Sequence, residues 1–238
     1  MRCLVVNFNK LEWLKIAVDS ILKMTCLTPT ILDGGSKDDS IDWCKQNGID
    51  VFEYGDAAKN NDYDGILLDH FIYDDLDSTY LDRLFILDVF ARFVSKGVDR
   101  QLLEKMDAIR SPLVGCEYQR GNGDYIYAAP YVMCVDISWL KLEGLKLKKV
   151  GHPLNYIKSQ ARIKDPQALD LCESLNIKAI NDNLPVVYLE HYKKKSEGHS
   201  YYFLNKKVPI IQYAGRKNEL IGIWKRSWND GTELALHK

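Results

Sequence analysis

The sequence predicts an α/β fold, a mixed, mainly parallel sheet with helices on both faces. Three observations carry that expectation. Short apolar runs and amphipathic stretches alternate four times before residue 90, the pattern of a parallel sheet covered by helices. The four runs lead into Asn7, Asp33, Tyr54 and Asp88, side chains able to hydrogen-bond at strand carboxyl ends, where such sheets hold ligands. The chain has 238 residues, 46% of them apolar and 27% charged, which suits one sizeable hydrophobic core.

Taken in order, residues 4–6 read as a buried parallel strand. Asn9 and Glu12 read as an N-cap and its capping-box partner, opening a helix on which Leu11, Leu14, Val18, Ile21 and Leu22 recur. Residues 30–32 form the second strand. Ser36 is the expected cap of a second helix, with Asp38 and Asp39 in its first turn and Gly48 just past its end. Residues 49–54 are a third strand, 64–75 a helix, and 84–87 a fourth strand ending on Asp88. The pattern then changes. Residues 102–109 read as helix, 112–118 as strand, and 125–135 as a long aromatic run interrupted by Pro130, with Gly121-Asn122-Gly123 as a turn before it. A short helix at 137–142, a longer one at 165–175 and a strand within 179–189 follow. The expected organisation is one domain over residues 1–190 and a basic, aromatic C-terminal extension over 191–238 packing on it.

Charge excludes some partners. The formal net charge is −1, so the chain as a whole is not built for unspecific attraction to nucleic acid or membrane. Residues 50–88 are acidic and those from Lys141 onward basic, either as solvated faces or because the basic part holds a phosphorylated or acidic ligand. The six cysteines, at 3, 26, 44, 116, 134 and 172, lack zinc or redox spacing and read as small core residues. The N-terminal apolar run is too short for a signal peptide, and no apolar run approaches a membrane span. The expected location is the cytoplasm.

Two motifs carry a family resemblance. Val5-Val6-Asn7-Phe8-Asn9, followed by an amphipathic helix, resembles the first strand and turn of family-two glycosyltransferases. Leu32-Asp33-Gly34-Gly35-Ser36-Lys37-Asp38-Asp39-Ser40 resembles their second-strand motif at a fitting distance. Residues 114–118 and 128–133 resemble acceptor-side segments of bacterial and viral members. The resemblance implies a GT-A (Rossmann-like) fold, a nucleoside-diphosphate sugar donor, a UDP-sugar foremost, and a divalent metal, Mn²⁺ or Mg²⁺. It assigns donor binding to Asn7, Asn9, Asp33, Gly35, Ser36 and Tyr54. The residue chemistry agrees. A carboxylate at a strand end accepts from a nucleobase N–H or ribose hydroxyls, and glycines let the backbone approach a ligand closely.

The chain departs from the family at the fourth strand. Members usually end it with Asp-x-Asp, whose carboxylates hold the metal against the diphosphate. Here Asp88 matches the first carboxylate, and Phe90, which cannot ligate a cation, stands where the second is expected. His191 is the expected second metal ligand. Arg92 and Lys194 are expected to offset diphosphate charge. For the general base that takes the acceptor proton, the candidates are Asp165 and Glu117. Asp165 before Pro166 is equally an ordinary helix N-cap, and Glu117 equally a solvent-facing strand residue. The acceptor is a hydroxyl on a glycan or small molecule. A hydroxymethylated base of viral DNA is the open alternative, because the basic, aromatic C-terminal part suits phosphates and an extruded base. A second class stays open too, a non-catalytic GT-A-like domain that holds a nucleotide or sugar; Phe90 motivates it. A nucleotidyltransferase fits less well, since no Gly-rich, Lys/Arg-bearing loop follows the first strand.

Overall fold

The computed structural model describes residues 1–55, 63–77, 79–120, 125–148, 172–193, 200–204 and 209–213. Their strands are β1 (Arg2–Asn7), β2 (Thr28–Asp33), β3 (Asp50–Glu53), β4 (Arg83–Leu87), β5 (Ala91–Phe93), β6 (Leu113–Arg120), β7 (Tyr125–Asp136), β8 (Val186–Lys193), β9 (Ser200–Phe203) and β10 (Pro209–Tyr213). The helices are α1 (Leu11–Met24), α2 (Ser40–Gln46), α3 (Tyr63–His70, continued by a π-turn over Phe71–Asp75), α4 (Val98–Ile109), α5 (Ile137–Leu142) and α6 (Glu173–Asn181). None is long and apolar enough to cross a membrane.

The strands join in the order β3-β2-β1-β4-β7-β6-β8-β9-β10-β5. The first four are parallel neighbours. β7 runs antiparallel to both β4 and β6, β8 is parallel to β6, and the ladders from β8 through β9 and β10 to β5 are antiparallel. The parallel expectation therefore describes the first half of the sheet, and the second half is mostly antiparallel. β1 has β2 on one side and β4 on the other, so the strand order reverses at β1. That reversal opens a crevice beyond the carboxyl ends of β1 and β4.

Strand alternation sorts the core into two layers. Cys3, Val5, Ile31, Phe85, Leu87, Val114 and Cys134 face one side, against α1, α2 and α4. Leu4, Leu32, Leu84, Ile86, Leu113, Met133 and Val135 face the other, against α3, α5 and α6. Helices thus cover both faces. Cys3, Cys44, Cys116, Cys134 and Cys172 are buried and Cys26 is exposed. Burial pushes the Cys44 thiol up to about 12 and also raises Cys3, Cys116 and Cys134, as core packing without chemistry requires.

Pro130 lies inside β7, a strand hydrogen-bonded on both sides. It is tolerated because the β6–β7 register jumps from Gly115↔Met133 to Cys116↔Ala129. This bulge leaves Pro130, Tyr131 and Val132 out of the β6 ladder, where an amide hydrogen is not needed. Gly115 is required at the jump: a Cβ there would lie 2.7 Å from the Ala128 Cβ. The bulge also turns the Tyr131 carbonyl to accept from the Asp88 amide at 3.0 Å.

Several local expectations are corrected. Asn9 and Ser36 cap no helix of their own. α1 begins after Lys10, and neither α1 nor α2 has a side-chain cap on its N-cap residue. Asn9 instead adopts a left-handed conformation with φ 51°, and its Oδ1 accepts from the Lys37 and Asp38 amides at 2.6 and 3.3 Å. Asp38 in turn accepts from the Leu11 amide at 3.1 Å, so the two loops cap each other. Within 179–189, where a strand is expected, residues 179–181 close α6 and the strand begins at Val186. The boundary expected at residue 190 falls within β8, and β9 and β10 carry the chain back to β5. Asp165, Lys194, the turn expected at 121–123 and residues 214–238 lie outside the described residues.

Candidate active site

Two turns at the carboxyl ends of parallel strands dominate the region picked out by the sequence. At the end of β2, the structure brings Asn7, Asn9, Asp33, Gly35 and Ser36 into one network. Asp33 Oδ1 accepts from the Gly35 and Ser36 amides at 2.9 and 2.7 Å. Its Oδ2 accepts from Asn7 Nδ2 at 2.9 Å and from the Ser36 hydroxyl at 2.7 Å. Asn7 Nδ2 also reaches Ser36 Oγ at 3.1 Å, and the Asn9 amide donates to the same oxygen at 2.8 Å. Gly35 makes the turn possible with φ 94°, a conformation unfavourable to other residues.

Asp33, expected to meet the donor, is thus surrounded by protein donors. Asp33 and Asn7 are 0% exposed and Ser36 is 8% exposed. With four donors around it, the carboxylate has its acceptor capacity filled by the protein. Asp33, Asn7 and Ser36 shape the loop, and Asn7 Oδ1 is the one atom of their side chains left buried without a hydrogen-bond partner. Tyr54 sits beside this turn, its amide donating to the Asp33 carbonyl at 2.9 Å. Its hydroxyl bonds Asp75 and its ring lies 5.0 Å from that of His70. Burial, then the Asp75 hydrogen bond, raise its pKa.

At the end of β4 the arrangement is open. Asp88, Val89, Phe90 and Ala91 form a tight turn, with the Ala91 amide donating to the Asp88 carbonyl at 2.8 Å and the Phe90 amide to Asp88 Oδ1 at 2.8 Å. Asp88 is half-buried. It lines a cleft of about 250 Å³ together with Val6, Lys10, Tyr63, Asp64, Ile86, Phe90 and Pro130, among others. The cleft occupies the crevice that the strand reversal predicts. Phe90 packs edge-on against Trp13, centroids 5.5 Å apart, and the Lys10 ammonium lies 5.8 Å from the centre of its ring.

Other expected residues lie apart from this cleft lining. Arg92, expected at the diphosphate, is 2% exposed, buried in β5. Glu117 on β6 and His191 on β8 are neighbours, the His191 amide approaching Glu117 Oε2 at 3.4 Å. The His191 ring lies 5.2 Å from that of Tyr202, which continues to Tyr131 and Tyr118 at 6.0 and 6.1 Å. Among the described residues, no three His, Cys, Asp or Glu side chains group closely enough to hold a metal ion. Asp88 and His191 therefore form no cation site with a third such ligand among the described residues, and Phe90 stands in the second carboxylate's place.

Sequence reasoning missed Lys10, Tyr63 and Asp64. The strand-end rule that selected Asn7 and Asn9 extends one residue further to Lys10. Tyr63 and Asp64 were readable only as the start of a helix, and their approach to β4 is a tertiary fact.

No protein-family model matches the sequence, and no curated protein matches it. Among solved structures, the chain is similar to one assigned as a glucose-1-phosphate thymidylyltransferase from Bacillus anthracis, with TM-score 0.51 and 11% identity over 97% of this chain and 96% of that one. It is also similar to residues 1–349 of TarS from S. aureus, with TM-score 0.47 and 11% identity over 62% of this chain and 50% of that one, so it spans half of that structure's length. The mannosyltransferase PcManGT from Pyrobaculum calidifontis, solved with GDP-Man and Mn²⁺, matches with TM-score 0.44 and 11% identity over 60% of this chain and 46% of that one. At such identities the full-length likeness establishes the fold alone: this chain has a GT-A-like, Rossmann-like α/β fold.

Proposed function

We propose that this chain is a glycosyltransferase that moves a sugar from a nucleoside-diphosphate sugar, a UDP-sugar foremost, to a hydroxyl acceptor. The observation that carries this reading is the cleft at the β1–β4 reversal. It combines apolar walls from Val6, Ile86 and Phe90, the carboxylates Asp64 and Asp88, and the ammonium of Lys10. Carboxylates accept from ribose and sugar hydroxyls, and an ammonium offsets an anionic group. A hydroxylated, apolar-faced anion such as a nucleotide sugar matches that set.

In this reading the bond between the anomeric carbon and the diphosphate oxygen breaks, and its electron pair leaves with the diphosphate. The acceptor oxygen bonds to the same carbon and gives its proton to a base. Asp88 accepts from donor hydroxyls and holds them near the breaking bond. Glu117, half-buried on β6, is the candidate base among the described residues; Asp165 is the alternative. The acceptor is a glycan or small-molecule hydroxyl.

A thermal-shift screen of nucleoside diphosphates and their sugars, with and without Mn²⁺, tests the reading, because a ligand that binds only the folded state raises the melting temperature. A diphosphate-sugar that stabilises the protein and loses its sugar, with the product identified by mass, supports it. Stabilisation without sugar transfer or donor hydrolysis makes the chain a nucleotide-sugar-binding domain. No stabilisation by any nucleotide refutes the reading.

A further inference from the structure

From the composition of the cleft we infer that Lys10, rather than a protein-bound metal, holds the diphosphate of the donor. The inference rests on the proposed donor site and goes beyond it by assigning a residue and a charge. Three observations on this page meet at one point. First, Phe90 occupies the turn position where a second carboxylate would bind a cation, and it is buried against Trp13. Second, the ammonium of Lys10 lies 5.8 Å from the centre of that same ring. Third, Lys10 is the one cation among the described residues that line the cleft. It makes no ion pair among the described residues, although Asp64 and Asp88 share the cleft with it. The ring lies beside an ammonium that makes no ion pair among the described residues.

An unpaired ammonium in a partly enclosed cleft favours an anion. A cation–π contact holds the charge loosely, so the ammonium stays available for a stronger partner. Phosphoryl oxygens are that partner. When the sugar–oxygen bond breaks, the diphosphate gains the electron pair, and Lys10 offsets the added charge without itself losing a proton. Phe90 fits the same arrangement. A second carboxylate at that position would pair with Lys10 and cancel it, whereas an aromatic ring positions it.

The test is calorimetric titration in EDTA of wild type, Lys10→Met and Lys10→Arg with three probes: UDP, uridine and inorganic pyrophosphate. Lys10→Met keeps the aliphatic stem over Phe90, and an unchanged melting temperature certifies its fold. The expected result is UDP binding to wild type in EDTA, weakened about tenfold or more in Lys10→Met, with uridine affinity unchanged and UDP affinity largely kept in Lys10→Arg. Equal UDP affinity of Lys10→Met and wild type overturns the inference and leaves the donor reading standing. UDP binding that vanishes in EDTA and returns with Mn²⁺ also overturns it. Pyrophosphate binding that depends on Lys10, with no nucleotide bound, sustains the Lys10 assignment and sinks the donor reading instead. Absence of all three interactions overturns both.

Discussion

Two turns, each opened by an aspartate at the end of a parallel strand, are used in opposite ways. At β2 the carboxylate of Asp33 is buried and surrounded by four donors, two from amides and two from side chains. At β4 the carboxylate of Asp88 accepts from one amide of its own turn and remains half-exposed on the cleft. The motif is the same, an acid followed by a sharp turn, and what separates the two is burial. Asn7 supplies a side chain to the closed β2 turn from the adjacent strand. At the β4 turn the Asp88 amide donates to the Tyr131 carbonyl, and the half-buried carboxylate lines the cleft. The carboxylate that reaches the cleft is the one placed to meet a ligand.

The largest effect is expected at the closed turn. Asp33→Ala leaves the Gly35 and Ser36 amides, Asn7 Nδ2 and the Ser36 hydroxyl without their acceptor in a buried place. We predict a loss of about 3–5 kcal/mol in urea unfolding. If stability is kept and only nucleotide affinity falls, the comparison between the turns is wrong. The open turn should answer oppositely. Asp88→Asn retains an Oδ1 for the Phe90 amide, so stability should stay within about 0.5 kcal/mol. Transfer should fall about 100-fold, the scale for removing one group that acts on the reacting centre. Wild-type turnover in Asp88→Asn places the chemistry elsewhere.

What was legible in the sequence follows the same division. The strand–helix alternation and the identities of the strand-end residues come from local periodicity, whereas the order of strands in the sheet is a tertiary fact. Asn7, Asn9, Asp33 and Ser36 were found together for the same reason. Their roles were not legible, since donor count around a carboxylate depends on neighbours 26 to 29 residues away in sequence. Asn9 and Asp38 each cap the other's loop, which no spacing rule within one helix reveals. Arg92 carried a formal charge that suggested the cleft, but it sits on a strand buried on both sides by β10 and the core. Lys10 directly follows the strand-end asparagines, and only the fold brings it to the cleft beside Phe90.

The bulge under the open turn offers a smaller, structural test. Gly115 sits where β7 gains the extra residues that free Pro130 for the cleft and Tyr131 for the Asp88 amide. Gly115→Ala forces a Cβ against Ala128 Cβ at 2.7 Å. The expected cost is about 1–3 kcal/mol, typical of an added methyl in a packed site. If the β4 turn depends on this bulge, ligand binding in the cleft should weaken as well. Lost stability with unchanged binding would show that the turn stands without it.

The smallest effect concerns a third buried acid, which lies between the two extremes. Asp69 on α3, one residue from the cleft residue Leu68, is 7% exposed. It accepts from the Leu147 amide at 2.7 Å and more distantly from the Lys148 amide at 3.4 Å. Burial raises its pKa above the ordinary 3.8; the two amides, Lys146 and Lys148 pull the other way without cancelling it. A raised folded-state pKa means that the folded protein binds this proton more tightly than the unfolded chain. The favourable contribution is complete below the unfolded value and is lost as pH rises through the folded one. Other carboxylates change stability over the same range, so the readout is the difference between Asp69→Asn and wild type. Asparagine keeps an acceptor for the Leu147 amide and carries no charge at any pH, so its own cost is nearly constant. The variant's stability relative to wild type should therefore rise with pH in urea titrations run from about pH 3 to about pH 7 and then level off. A difference that stays flat, or falls, means that the two backbone donors balance the burial of Asp69 after all. Asp69 would then stand with Asp33 as a buried acid held by its protein donors.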